Sequence, residues 1–377
     1  MNKLSSEWQN EVREVVNGTV PTEDNNSITS SNEAFLNFQN MAIRSVDAGS
    51  NFHNANTGGI VSTYSLVYTV ATAYQGGVLG PNGDIHFVPT SAAVGQKISA
   101  NGTVSTYSLV YTVTNGYTGG VLSPNGDIHF VPTSAAVGQK IASSGTVSTY
   151  SLVYTAVASY AGGILAPNGD IHFIPNNANR GQKISPTGVV STYSLVYTAS
   201  AAYFGGVLAP NGDIHFVPRS AIVGQKVSPS GTVSTYSLAY TTADAYLGGV
   251  LATNGDIHFV PYNAVVGQKI SSTGIVSTYS LVYTTTNAYV GAVLAPNGDI
   301  HFIPYSANRG QKNSLDGTVS TYSLVYTALT AYQSGVLTPT GEIYFIPRNA
   351  NRGQKISTIP AVPFSPALCR SAYLNKF

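Results

Sequence analysis

Tyr74-Gln-Gly-Gly-Val-Leu-Gly-Pro-Asn-Gly-Asp-Ile-His-Phe-Val-Pro89 decides the fold, because the chain is built by repeating it. Asn82-Gly83 separates two apolar runs, Gly77-Val78-Leu79 and Ile85-His86-Phe87-Val88. Asn and Gly tolerate positive φ, so the pair predicts a two-residue type I′ hairpin whose twist suits paired strands. The hairpin returns at Pro124-Asn-Gly-Asp127, Pro167-Asn-Gly-Asp170, Pro210-Asn-Gly-Asp213, Thr253-Asn-Gly-Asp256, Pro296-Asn-Gly-Asp299 and Pro339-Thr-Gly-Glu342. Each step is 43 residues, without insertion or deletion.

Around the hairpin, each unit holds four short strands. In the first they are A (Gly77–Leu79), B (Ile85–Pro89), C (Gln96–Ser99) and D (Thr103–Tyr111), the last alternating β-branched and aromatic residues. Four strands per unit of this length is the blade pattern of a β-propeller. The array opens with an orphan D strand, Val61–Tyr68. It ends after A (Gly335–Leu337), B (Ile343–Pro347) and C (Gln354–Ser357), with Pro360 and Pro363 blocking a regular D strand. The two incomplete ends complement each other. The expected fold is an all-β, seven-bladed propeller over residues 59–359, closed by its first strand and followed by a tail at 360–377. An open solenoid would instead carry distinctive capping repeats.

Residues 1–58 stand outside the repeat. Trp8, Val12 and Val15-Val16 fall about a helical turn apart, and Phe35, Leu36, Phe38, Met41 and Ile43 supply a second apolar face. A partly helical arm is predicted, which docks the ring to protein partners in a larger assembly. The start lacks the apolar core of a secretory signal and no apolar stretch suits a membrane span, so folding in the cytoplasm is expected. A net charge of +1, with only 9% charged residues, argues against nucleic acid as a partner. One cysteine, Cys369, excludes an internal disulfide framework.

Candidate chemistry divides into what repeats and what varies. His86, His129, His172, His215, His258 and His301 share one repeat position, which Tyr344 fills in the seventh unit. One histidine per blade does not give ligand spacing, so these are read as structural, with no metal or cofactor. Asp84, Asp127, Asp170, Asp213, Asp256 and Asp299, with the lysines at Lys97 and its equivalents, are likewise read as turn-stabilising groups. Catalysis needs one asymmetric constellation, and no lone polar cluster on the axis is evident, so the chain is not expected to be an enzyme. Twenty-one of the 25 tyrosines occupy three repeat positions and read as packing between blades.

Variation concentrates just after strand B: Thr90, Thr133, Asn176, Arg219, Tyr262, Tyr305 and Arg348. Four residues further on stand Val94, Val137, Arg180, Val223, Val266, Arg309 and Arg352. The D–A link varies too, from Gln75 through Phe204 and Leu247 to Gln333. In an up-and-down blade, the B–C and D–A links emerge on one face and the near-invariant A–B and C–D turns on the other. Arg219, Tyr262, Tyr305 and Arg348, with Arg180, Arg309 and Arg352, are therefore the candidate binding residues, of types favoured in hot spots.

The segments Leu165–Pro175, Leu208–Pro218 and Leu294–Pro304 resemble a family of repeat propellers in which a strand-turn-strand LAPNG-x-I-Y-x-I-P marks each blade, found in viral, bacterial and protist proteins. The resemblance covers residues 60–357 and departs from the family pattern in carrying His where Tyr is commoner. It implies the fold and leaves function open. Near-identical blades, low charge and a discrete arm look similar to virion appendage proteins. A structural or attachment role in a virion or tail, docked by residues 1–58, is the leading expectation. The alternative is a lectin-like propeller binding a host-surface glycan at repeated inter-blade sites.

Overall fold

The computed structural model describes residues 60–358. The helices expected near Trp8 and Phe35, the docking arm of residues 1–58 and the tail at 360–377 lie outside the described residues. Among the described residues no helix is long and apolar enough to cross a membrane.

Among the described residues twenty-eight strands, β1 to β28 in chain order, form seven antiparallel four-stranded sheets. Blade one is Tyr74–Leu79, Ile85–Pro89, Val94–Ile98 and Val104–Ser108, and the next five blades repeat it in register. The first strands of neighbouring blades pack against one another around the ring, which makes them the innermost. Blade seven takes its outer strand from the start of the ring. β1 (Ile60–Tyr64) pairs with β28 (Gly353–Ser357), from Ile60↔Ser357 to Tyr64↔Gly353. The seven-bladed, strand-closed ring is the expected one.

The turn type differs from the expectation. Gly83 has φ +84°, but Asn82 is not in the positive-φ region, so no type I′ turn forms. Instead Gly83 N–H donates to the Gly80 carbonyl (3.0 Å) and Gly80 N–H to the Asp84 carbonyl (2.7 Å). This is a three-residue loop, a type I turn closed by a left-handed glycine. Pro81 suits this turn, because a two-residue hairpin would need its N–H in the ladder and proline has none; Thr253 takes the same turn without that constraint.

Strand limits differ from the expectation too. The inner strand begins at Tyr74 rather than Gly77, with a bulge between those residues. The outer strand ends at Ser108 rather than Tyr111, because the chain is then drawn onto the next blade. There the Oε1 of Gln139 accepts hydrogen bonds from Val110 N–H (3.0 Å) and Tyr111 N–H (2.8 Å). The same clamp recurs, from Gln96 holding Val67 and Tyr68 to Gln354 holding Val325 and Tyr326. All seven glutamines are fully buried. A buried amide with two backbone donors satisfies groups that would otherwise be costly orphans at each blade junction.

The core lies between blades. Val78 and Val88 of blade one pack on Tyr117, Ile128 and Phe130 of blade two, and equivalent clusters follow around the ring. The inner glycines allow this approach: a Cβ on Gly76 would come within 3.0 Å of the Gly119 Cα. On the outer side, glycines of the third strand lie beneath tyrosine rings of the fourth. Gly181 pairs with Tyr193, and a Cβ there would fall 2.1 Å from the ring. Replacing Gly181 by Ala is expected to expel Tyr193, costing roughly 2–4 kcal/mol. A thermal midpoint equal to that of the unaltered chain would refute this packing account.

Candidate functional site

The innermost strands bring the variable residues of blades four to seven together at one end of the axis. Phe204, Leu247, Val290 and Gln333 occupy the same place, one residue into the inner strand of successive blades. Arg219, Tyr262, Tyr305 and Arg348 follow the second strands of those blades. Leu247 and Val290 form one cluster with Tyr305, and Phe204 and Tyr262 pack against it. The apolar side chains thus floor a shelf on which the polar ones lie.

Two polar constellations stand on that shelf. Arg348 Nη1 donates to the Tyr305 hydroxyl (2.7 Å) and to Gln333 Oε1 (3.0 Å), with its guanidinium 5.3 Å from the Tyr305 ring centroid. Tyr262 meets Tyr305 edge-to-face at 5.6 Å. Burial, then the neighbouring Tyr305 and Asp244, push the Tyr262 hydroxyl up to about 12, so it stays a neutral donor. Beside them Arg219 Nε donates to Asp244 Oδ1 at 2.5 Å. Asp244 sits at the left-handed position of its link, φ +51°, a conformation that Asp tolerates better than most residues. Its backbone N–H is held by Ser220 Oγ at 3.1 Å.

The corresponding places in blades one to three carry Thr90, Thr133 and Asn176, which turn inward. Thr90 Oγ1 donates to the Tyr117 carbonyl and Thr133 Oγ1 to that of Tyr160. The mouth is therefore lopsided: small and inward-turned on one side, aromatic and charged on the other. Asp244 was not singled out from sequence. Its signal was available, as the one acidic residue among the seven D–A links.

The other expected binding residues lie further out on the same face. Arg180, Arg309 and Arg352 hold their guanidinium groups over Tyr154, Tyr283 and Tyr326, at 5.6, 5.6 and 5.3 Å from the ring centroids. They do not join the axial cluster.

The repeated residues gather on the opposite face. Each lysine of the third strand pairs with the acidic residue after the turn, as in Lys97 Nζ to Asp84 Oδ2 at 2.6 Å and Lys355 Nζ to Glu342 Oε1 at 2.6 Å. The six histidines are buried beside tyrosines of the outer strand. Nδ1 of His172 and of His215 each lies 3.2 Å from the hydroxyl of Tyr193 and Tyr236, and that of His301 lies 3.4 Å from Tyr322. His258 instead meets Asn313 of the next blade at 3.4 Å. Burial holds all six histidines down at about 4, hence neutral near pH 7. Between blades four and five this face has a cleft of about 470 Å³, lined by Asn211, Asp213, His215, Lys226 and Tyr236 with Ile257 and Ile270 opposite.

Neither a family model nor a curated protein matches the chain. Solved structures do. A streptogramin B lyase is 20% identical with a TM-score of 0.70, covering 78% of this chain and 96% of the lyase. The selenomethionine form of virginiamycin B lyase from Staphylococcus aureus is 19% identical, TM-score 0.70, covering 80% and 99%. The extracellular domain of a one-component system from B. thetaiotaomicron matches at 10% identity and TM-score 0.60, over 81% of this chain and 40% of that one. The fold is that of propellers which include lyases. At this identity the likeness establishes the fold alone.

The expectation that the chain is not an enzyme is thereby overturned. The same ring carries catalysis in the lyases. The physical premise also fails, because a lone polar cluster does occupy one end of the axis. Sequence reasoning picked out Arg219, Tyr262, Tyr305 and Arg348 but did not gather them at the axis with Asp244 and Gln333, because each is a single departure from the repeat in its own blade.

Proposed function

We propose that this propeller is a binding protein whose specificity lies in the axial shelf built by Arg219, Asp244, Tyr262, Tyr305, Gln333 and Arg348. One observation carries the reading: among the described residues, blades four to seven depart from the repeat in both charge and aromaticity where their inner ends converge. A sevenfold scaffold cannot discriminate one ligand orientation from six others; a lopsided mouth can. The neutral Tyr262 hydroxyl and the part-buried Arg348 guanidinium supply donors beside an apolar floor, the composition of a site that orients its ligand.

In this reading the ring serves attachment, within a virion or tail or at a cell surface, and residues 1–58 join it to its assembly. Deleting 1–58 is expected to leave a ring that binds its ligand but no longer joins the assembly. For the shelf, the ring immobilised against extracts of its source is compared with Tyr262→Ala and Arg348→Ala forms. Capture is expected to weaken roughly 30-fold in each, as for a hot spot worth about 2 kcal/mol. Equal capture by both variants, with their melting unchanged, removes the shelf as the site.

A second reading rests on the cleft between blades four and five, whose paired Asp213 and Lys226 beside His215 and Tyr236 suit a neutral saccharide. Binding on a glycan array that survives Arg348→Ala but is lost in Asn211→Ala would favour it over the shelf.

A further inference from the structure

Charge is sorted between the two faces of the ring, which the overall +1 conceals. Among residues 60–358 the seven lysines are each ion-paired to the acidic residue of their own blade, all at the end of the A–B and C–D turns. Asp316, in a C–D turn, adds one more carboxylate there. All five arginines of these residues, Arg180, Arg219, Arg309, Arg348 and Arg352, stand at the other end, where Asp244 is the one carboxylate. They stand on blades three, four, six and seven, and blades one, two and five carry none.

Apolar exposure is sorted the same way. Of sixteen exposed large apolar side chains, twelve lie in the D–A or B–C links of the arginine face. Val157 is 80% exposed, Leu329 78% and Ile222 67%. Single exposed valines need no account, but a dozen gathered on one face around a cationic arc do.

We propose that this face is the docking surface of an acidic protein segment that also carries apolar side chains. The proposal rests on the binding face argued above and specifies its partner. The observations separate this partner from its rivals. Single-stranded nucleic acid needs open aromatic faces on which bases stack, whereas beside the outer arginines those faces are taken: Tyr154, Tyr283 and Tyr326 are covered by the guanidinium groups of Arg180, Arg309 and Arg352. An acidic polysaccharide would use the arginines and leave the valines wet. Two copies face to face would set ten arginines against each other. Stacked guanidiniums keep their N–H edges free for carboxylates, at a reduced cost in side-chain entropy.

The test uses the full chain and a fluorescent random Glu–Tyr copolymer, with polyglutamate, polygalacturonate and oligothymidylate for comparison. The copolymer is expected to bind most tightly. Its affinity should fall roughly tenfold in the R180Q/R309Q/R352Q variant, and by a similar factor between about 50 and about 300 mM salt. D316N, on the opposite face, should change nothing. Polygalacturonate or oligothymidylate binding as tightly as the copolymer overturns the partner class, as does absence of binding to any probe. Copolymer binding untouched by the triple variant but lost in Tyr262→Ala overturns the acidic-partner proposal and keeps the shelf. Binding insensitive to both overturns the two together.

Discussion

Lowering the pH from about 7 to about 4.5 is expected to unfold the ring cooperatively. The cause is the six buried histidines, held at about 4 against an ordinary value of 6.5. Burial is the main cause in each. A nearby lysine adds to it and the neighbouring aspartate opposes it, and beside His301 the aspartate outweighs the lysine. Below pH 6.5 the unfolded chain takes up a proton at each histidine and the folded ring does not, so stability is complete above about 6.5 and drains away as pH falls towards 4. At pH 5 each site costs roughly 2 kcal/mol and six cost about 12, as much as a typical domain has. The lysine-paired Asp84, Asp127 and Asp256 act in a lower window. Held below the usual carboxylate range, they stabilise the ring above about 3.8 and lose that contribution only as pH falls further. Melting followed by circular dichroism from pH 8 to 4 should show the midpoint collapsing near pH 5. Replacing one histidine by tyrosine, after the precedent of Tyr344, should lower the proton dependence by one. A midpoint at pH 4.5 equal to that at pH 7.5 would mean the histidines are not held neutral by burial.

This acid sensitivity was hidden in the sequence, although the histidines were conspicuous there. Repetition revealed that His86 and its equivalents belong to the scaffold. It did not reveal that Tyr107 and its equivalents close over them from the outer strand, with ring centroids 5.6 Å apart in blade one. The fold was legible because strand, turn and spacing recur with one period and the ends are complementary. The Gln96 clamp was less so, since a glutamine inside a short polar strand carries no pattern of its own. The axial shelf was legible only in part. Arg219, Tyr262, Tyr305 and Arg348 stood out as departures from the repeat, but their partners Asp244 and Gln333 lie elsewhere, in a D–A link and at the start of an inner strand. Only the ring's curvature brings those loops together. Charge sorting needs the same three-dimensional step, because lysines and arginines are interspersed along the chain and separate only when the strands run up and down.

Removal of residues 1–64 is expected to open the ring. β1 contributes the outer strand of blade seven across a sequence separation of nearly the whole ring, pairing five residues with β28. Tyr64 lies over Gly353, where a Cβ would fall 1.9 Å from the ring, and its hydroxyl donates to the Phe345 carbonyl at 3.2 Å. It also meets Tyr344 at 5.3 Å, and Val61 packs on the cluster of blades six and seven. About five backbone hydrogen bonds at ~1 kcal/mol each, with one buried aromatic at ~2–3 kcal/mol, put the loss at roughly 7 kcal/mol. Open backbone groups on β28 then invite pairing with another copy. Sedimentation and melting should therefore show self-association and a lower midpoint. Deletion of residues 1–58 alone spares β1 and serves as the control. Tyr64→Ala tests the same closure without cutting the strand, and should lose about 3 kcal/mol or more by leaving the space over Gly353 empty. Grafting the sequence of 60–64 after Ser357 through a short turn, in the chain lacking 1–64, should restore both the melting and the sedimentation of the full chain. Blade seven would then be built like the other six. If the truncated chain sedimented like the full chain with an unshifted midpoint, the packing between inner strands would be holding the ring by itself, and the strand exchange would be dispensable.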